Sequence, residues 1–292
     1  MRHCAFLTLE MDVGFFIDDQ LAYEPLRELG WQVHTIPWRR RDVDWKVFEA
    51  VIIRSPWDYT EAPAEFLAVL ERITQSGTLL LNSLDIVRWN IEKTYLRDLA
   101  VRGVPIIPTV WHERLAPGEL AKLFEAVDAP EAVIKPILGA NARGTWLLDK
   151  TTVREKASEI EAYYADRPFM LQPLVKAIVP EGEFSLIYMG GELSHAILKT
   201  PKQNDFRVQE EHGGYPRKVE LESALRAAGD VAIGAVGEGL LYARADFVRA
   251  NDGDGFWLME LELIEPSLYF RLDEQAPHRF ARALHERCRG DS

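Results

Sequence analysis

Cysteine is scarce: Cys4 and Cys288 are the only two in 292 residues, and they lie near opposite ends. Neither belongs to a CxxC pair or a Cys/His ligand spacing, which argues against a structural zinc site and a disulfide framework. Such sparse cysteine suits a reducing compartment, so a cytoplasmic protein is expected. Long apolar runs are missing too. No stretch of about 18 apolar residues occurs, so no transmembrane helix is expected. The opening MRHCAFLTLEMDVGFF is interrupted by Glu10 and Asp12, too early for the apolar core of a secretory signal. Basic charge is in deficit: 34 Lys and Arg stand against 46 Asp and Glu, a net charge of −12. Nucleic acids and anionic membranes are both bound through clustered Lys and Arg, so neither is an expected partner.

What is present is an ordinary globular balance, 47% hydrophobic and 27% charged. The length exceeds one ordinary domain of ~100–200 residues and can bury roughly three quarters of the unfolded surface. The acid excess is either solubility charge or includes carboxylates that hold cations.

Short apolar runs at 4–9, 31–38, 50–56 and 78–82 read as strands. Between them, 19–29 and 63–76 have helical apolar spacing and are followed by Gly30 and Gly77. Alternating units of this kind predict an open, mostly parallel α/β sheet. The pattern then changes. A helix is expected over 83–101, strands at 132–136 and 145–149, a helix over 151–165 and a strand at 169–175. From 183 onward the pattern is α+β and antiparallel: FSLIYM-GG-ELSHAIL is a hairpin with a two-residue glycine turn. A helix at about 220–238 and strands at 242–250 and 256–264 follow.

The last hairpin carries the clearest chemistry. Centred on Gly253, it places Asp246 opposite Glu260, and period-two alternation puts Glu260 and Glu262 on one face. Like charges so close cannot all stay ionised without a counter-charge. A hard divalent cation would supply one; a plainer reading is a solvated acidic face with Arg244 as partner. A second feature is the small-residue loop GANARG between two strands. Backbone N–H groups from Gly139 through Ala140 and Asn141 to Gly144 can cradle phosphate oxygens. Thr145-Trp146 stands where a Walker A loop needs Lys-Ser/Thr, so that motif is excluded, and an ordinary turn stays open. Lys135 precedes the loop on a strand and would be buried unless it meets an anion. The third feature is a basic tract in an acidic chain, with Lys199, Lys202 and Arg207, which is either a phosphate-binding loop or a solvated one.

Taken in order, Lys93 in WNIEKTYL, Lys135 in VIKP, the small-residue loop, LQPLV, Glu183 in EGEFSL, the basic tract, and Asp246 with Glu260-x-Glu262 form a series. This series resembles the ATP-grasp superfamily of carboxylate–amine ligases over about residues 84–270. RSPWDY and LELIEPSLY add a likeness to its glutathione-synthetase-like and cycloserine-forming branches. The resemblance implies an N-terminal open parallel α/β (pre-ATP-grasp) domain over 1–83 and a two-lobed ATP-grasp fold, its N-lobe over 84–178 and its C-lobe over 179–292. It implies ATP and Mg2+ as cofactors, two ions being usual and Mn2+ an alternative. Lys93 and Lys135 would then contact the nucleotide, Gln172, Pro173, Leu174 and Val175 the adenine, and Glu183 the ribose. The loop from Gly139 to Gly144 would cover the phosphates, Asp246, Glu260 and Glu262 would hold metal, and Arg207 with Lys199 would steady an acyl phosphate. Two departures stand out: Glu262 where many relatives have Asn, and Ala140 and Ala142 where glutathione synthetase is richer in glycine.

The implied partners are small-molecule carboxylate and amine substrates, with the chain a monomer or homodimer. The tip Arg54-Ser55-Pro56-Trp57-Asp58-Tyr59 follows a strand of the α/β region, where open sheets bind ligands. Arg54 could fork onto a carboxylate and Asp58 hold an ammonium, or the tip is a packing knob. Glu265 and Ser267 are further candidates for the acceptor site, and His195 and His212 weaker ones for proton transfer. The function expected is ATP-dependent activation of a carboxylate for attack by an amine, within one amino-acid-like molecule. Alternatives are a peptide-forming ligase with two substrates, a non-catalytic ATP-binding module and a metal-dependent hydrolase, the last having no use for the lysines.

Overall fold

Short apolar strands and amphipathic helices build the first sheet. A computed structural model, which describes residues 1–10, 16–139, 143–203, 205, 207–251, 253 and 255–289, shows a parallel sheet of four strands. These are β1 (Arg2–Thr8), β2 (Trp31–Pro37), β3 (Ala50–Ser55) and β4 (Leu79–Leu81), in the order β2-β1-β3-β4. The crossovers run through α1 (Tyr23–Glu28) and α2 (Pro63–Gln75). β3 is buried along its whole length, as a strand covered on both faces must be. α2 forms because Phe66, Val69, Leu70 and Ile73 recur on one buried face, and it is followed by Gly77 at φ 86°. The expected helix over 19–29 is shorter. Asp19–Ala22 form a 3-10 turn, and α1 starts where Pro25 falls in its first turn, so the missing N–H breaks no helical bond.

The expected helix over 83–101 is two helices, α3 (Leu84–Asn90) and α4 (Tyr95–Val101). The break is set by partners distant in sequence. The Lys93 amide donates to Ile137 O at 2.7 Å rather than up a helix, and the Asn90 carboxamide is committed to a strand described below. A second, antiparallel sheet joins β5 (Val110–His112), β6 (Ala132–Pro136), β7 (Trp146–Leu148) and β8 (Phe169–Pro173) in the order β5-β8-β6-β7. α5 (Leu120–Ala126) and α6 (Lys150–Tyr164) pack against it through Leu120, Phe124, Ile160 and Tyr164.

The third sheet is antiparallel with the order β11-β10-β9-β12-β13. It comprises β9 (Glu183–Met189), β10 (Glu192–Thr200), β11 (Tyr215–Lys218), β12 (Tyr242–Arg249) and β13 (Phe256–Glu262). Gly190 and Gly191 have φ of 61° and 87°, the left-handed pair that a type I′ hairpin requires. α7 (Ser223–Val236) covers one sheet face; α8 (Ala276–Arg289) packs Phe280 and Leu284 into a core shared by the first and third sheets. β11, inside the polar tract, and α8 carry no expectation from the sequence reading. Among the described residues no helix is long and apolar enough to cross a membrane.

Two buried asparagines lock the first sheet and α3 to β12 and β13. Asn82 donates to Tyr242 O at 2.9 Å and Leu263 O at 2.7 Å, and accepts from Leu241 N at 2.7 Å. Asn90 donates to Leu261 O and accepts from Leu263 N, both at 2.9 Å. Removing the Asn82 carboxamide would leave three buried backbone groups unpaired, so Asn82→Ala is expected to cost about 3 kcal/mol. Urea denaturation measures this; a loss under about 0.5 kcal/mol would show that the clamp contributes little.

Candidate active site

Strand alternation decides which side chains reach the pocket. On the third sheet, Phe184, Leu186, Ala243, Ala245, Phe247 and Leu261 point one way, into an apolar core with α4 and α7. Glu183, Ser185, Arg244, Asp246, Glu260 and Glu262 alternate with them, and all but Ser185 line a pocket of about 250 Å³. The hairpin register is as the sequence predicts: Arg244 pairs with Glu262 and Asp246 with Glu260, before a bulge between Asp246 and Phe247. Lys199 enters from β10 directly opposite Glu183. The second sheet supplies Lys135 and Gln172, the break between α3 and α4 supplies Lys93, and the first sheet contributes Trp57 and Tyr59.

Charge on this face is closely matched. Lys93 Nζ lies 2.7 Å from Glu260 Oε1 and donates to Gly139 O at 3.0 Å. Lys199 pairs with Glu183 and stands 3.5 Å from Asp246. Arg244 bridges Asp246, at 3.0 Å, and Glu262. Burial opposes ionisation of Asp246, but Arg244 and Lys199 outweigh it and hold the carboxyl at about 2. Burial likewise opposes the charge of Lys199, and Asp246 and Glu183 overcome it, so the ammonium persists. The compensation is incomplete elsewhere. Burial pushes Glu262 up to about 8 despite Arg244, and Glu265 up to about 7 despite Tyr59. It pushes Lys135 down to about 8, which leaves a buried ammonium suited to an incoming anion.

The donor set suits a hard cation. Asp246, Glu260 and Glu262 offer only carboxylate oxygens from adjoining strands, and a bound cation would offset the burial that holds Glu262 up. Among the described residues no three such groups are set to hold a metal ion as they stand; Lys93, Lys199 and Arg244 pair with these carboxylates. A metal–phosphate group would take over that pairing, and the side chains present fit it.

The other expected site residues divide. Gly139, Gln172, Pro173, Leu174, Val175 and Arg207 line the pocket. Gln172 donates to Thr109 Oγ1 at 2.8 Å, and Leu174 N is taken by Glu131 O at 3.0 Å. Arg207 is held by Asp205 at 3.0 Å. Gly144 is off the pocket wall, in a left-handed conformation with φ 71°, where a Cβ would collide with the Tyr163 hydroxyl. Ala140 and Asn141 lie outside the described residues. Within the N-terminal tip, Trp57 and Tyr59 line the pocket, but Arg54, Ser55 and Asp58 do not. Arg54 is buried and bonded to Asp19 at 2.9 Å and to Pro266 O at 3.1 Å. Ser55 Oγ meets Thr8 Oγ1 at 3.0 Å, and Asp58 accepts from Trp38 Nε1 at 2.7 Å and from Arg39 Nε at 3.2 Å. These three, read from the loop as a carboxylate fork and ammonium holder, are engaged with other side chains off the pocket wall. Glu265 and Ser267 do line the pocket; His195 and His212 do not. Two pocket groups escaped the sequence reading. Arg244 was legible only as a surface partner, although its place two residues before Asp246 puts it on the same face. Gln209, whose Oε1 is buried without a partner among the described residues, sits in a tract with no periodicity to read.

Parallel, second and third sheets with a charged cleft between them define an ATP-grasp ligase, and comparison agrees. The chain belongs to the ATP-grasp ligases, in the family of the cycloserine biosynthesis protein DcsG. That protein, from Streptomyces lavendulae, is 34% identical over 302 residues, which cover 98% of each chain. Residues 4–82 match the family described as D-cycloserine synthetase DcsG, N-terminal domain. The crystal structure of D-cycloserine synthetase DcsG superposes with a TM-score of 0.85 at 32% identity, over 98% of this chain and 99% of that one. A probable alpha-L-glutamate ligase of Legionella pneumophila is 27% identical over 191 residues, 64% of this chain and 60% of its own. The ATP-grasp ligase PsnB, at 19% identity and a TM-score of 0.68 over 98% of this chain and 99% of its own, shares the fold.

His195 illustrates a titratable group serving structure. Its Nε2 faces Leu268 O at 3.1 Å and its Nδ1 faces Ser194 Oγ at 2.9 Å, and burial pushes the imidazole down to about 4. The folded state thus prefers neutral His195, and its contribution is fully present above the ordinary value of 6.5 and lost as pH falls toward 4. The stability difference between wild type and His195→Gln should therefore shrink by about 2 kcal/mol from pH 7 to pH 5. Denaturation at the two pH values measures it; an unchanged difference would overturn the assignment.

Proposed function

We propose that the protein is an ATP-dependent carboxylate–amine ligase that activates a carboxylate as an acyl phosphate, releasing ADP and phosphate, and closes a ring within one amino-acid-like substrate. The observation that carries this reading is the single charged face that sets Lys93, Lys199 and Arg244 among Asp246, Glu260 and Glu262, with Lys135 alongside. Ring closure is favoured over joining two substrates because the relative 34% identical over 98% of each chain is a cycloserine biosynthesis protein. The glutathione synthetase of Prochlorococcus marinus, by contrast, is 27% identical over 202 residues, 68% of this chain and 61% of its own.

In this reading residues 1–83 wall the substrate side, 84–178 cover the nucleotide and 179–292 carry the acidic face. Lys93 and Lys135 neutralise ATP phosphates, with the loop from Gly139 to Gly144, Ala140 and Asn141 included, folded over them. Gln172, Pro173, Leu174 and Val175 border the adenine, and Glu183 takes the ribose. Asp246, Glu260 and Glu262 would hold Mg2+, which supplies charge neutralisation between phosphates. A substrate carboxylate oxygen attacks the γ-phosphorus, and the bond to the β-phosphate oxygen breaks. That transfer needs positioning and positive charge rather than a protein nucleophile. Lys199 and Arg207 steady the acyl phosphate, and Arg244, fixed by Asp246 and Glu262, adds a buried cation. The amine then attacks the acyl carbon and phosphate departs. Trp57 and Tyr59 exclude water from an intermediate that hydrolyses readily.

Purified protein with ATP, Mg2+ and a panel of amino acids, trapped with hydroxylamine, tests the reading. ADP, phosphate and a hydroxamate are expected; AMP and pyrophosphate would refute it. Glu260→Gln is expected to lower turnover at least ~100-fold with an unchanged circular dichroism spectrum. Near-normal turnover would remove Glu260 from the metal set.

A further inference from the structure

The strand that carries Glu260 and Glu262 is the last of its sheet, so one edge of β13 has no neighbouring strand. Backbone groups on that edge still need partners. The stretch from α3 to β5 supplies them. Leu258 N donates to Pro105 O at 2.8 Å, and the Asn90 carboxamide takes Leu261 O and Leu263 N. Leu261 N donates to the Tyr95 hydroxyl at 2.9 Å.

Tyr95 differs from the other groups along this edge. It is 2% exposed, its ring packs on Trp89 with centroids 5.5 Å apart, and it lines the pocket together with Glu260. A phenol that accepts from Leu261 N still has its own hydrogen to donate. Among the described residues no hydrogen bond uses that hydrogen. A buried donor is ordinarily satisfied, so an acceptor on the pocket side is called for. Glu260 is the carboxylate beside it, since it directly precedes Leu261 in the strand. Burial, and after it the charge of Glu260, push the phenol well above its ordinary value, so the hydrogen stays in place. In this structure Glu260 is paired instead with Lys93, two residues before Tyr95, at 2.7 Å.

We propose that Tyr95 is a positioning residue for Glu260: its hydroxyl, held by Leu261 N–H, donates to the Glu260 carboxylate when Lys93 turns to a phosphate. The inference rests on the reading above in which Glu260 holds Mg2+. The phenol fixes one carboxylate oxygen and leaves the other for the cation. Outer partners of this kind contribute about 10- to 100-fold to metal affinity.

Mn2+ binding to the full-length protein with saturating ADP, followed by electron paramagnetic resonance, tests this without turnover. Tyr95→Phe keeps the ring and should weaken Mn2+ binding at least ~10-fold, while affinity for ADP in EDTA stays within ~2-fold. Replacing Tyr95 by O-methyltyrosine keeps an oxygen for Leu261 N–H but has no hydrogen to donate, and should weaken Mn2+ binding as much. Replacement by p-aminophenylalanine, which keeps a hydrogen, should recover most of the affinity. A residue that only closes the strand edge would tolerate the methyl ether. The proposal is overturned if either hydrogen-lacking variant binds Mn2+ within ~2-fold of wild type, if ADP affinity falls as much as Mn2+ affinity, or if p-aminophenylalanine recovers nothing. Failure of the underlying metal reading is separate, since Glu260→Gln would then bind Mn2+ as wild type does.

Discussion

Everything at the cleft depends on charge compensation in a place with little water. One face of the third sheet carries Glu183, Asp246, Glu260 and Glu262, and Lys93, Lys199 and Arg244 stand among them. Desolvating such ions costs more than well-packed apolar side chains would, so this face is a poor device for stability. In the proposed reading its worth is that the cations are already in place and can exchange carboxylates for phosphate oxygens. The opposite face of the same strands supplies the apolar packing that stability needs, and the two-residue period of a strand keeps the two purposes apart.

The positioning of this face comes from elements that make no chemistry. Asn82 and Asn90 tie backbone groups of β12 and β13 to the first sheet and α3 through hydrogen bonds at 2.7 to 2.9 Å. The same break that follows Asn90 frees Lys93 to reach across: its amide joins the second sheet at Ile137 and its ammonium joins the third at Glu260. One residue therefore senses both walls of the cleft.

The strands and the final hairpin were legible because they obey simple periodicities. The centring of 242–264 on Gly253 was enough to pair Asp246 with Glu260. Helix α2 was legible for the same reason. What failed to show were breaks and long-range commitments. The interruption at 91–94 is set by partners more than 40 residues away, such as Ile137. Arg54 and Asp58 have the right chemistry for an amino acid, but Asp19 and Trp38 engage their side chains off the pocket wall, and no local pattern encodes that. Glu265 and Ser267, by contrast, were visible in sequence as candidates for the acceptor site, and both line the pocket.

The packing of α8 bears on how the chain is made. Phe280 meets Phe6 edge-on at 6.0 Å, Trp31 Nε1 donates to His285 at 3.2 Å, and Arg2 reaches Cys288 O at 2.9 Å. One side of the parallel sheet is thus completed by residues translated some 200 positions after its strands. During synthesis that side stays uncovered while the rest of the chain emerges, so the ribosome-bound protein presents an apolar surface for much of its elongation. Vectorial folding cannot finish the first unit first, and chaperone dependence in the cell should track the time between residues 82 and 276.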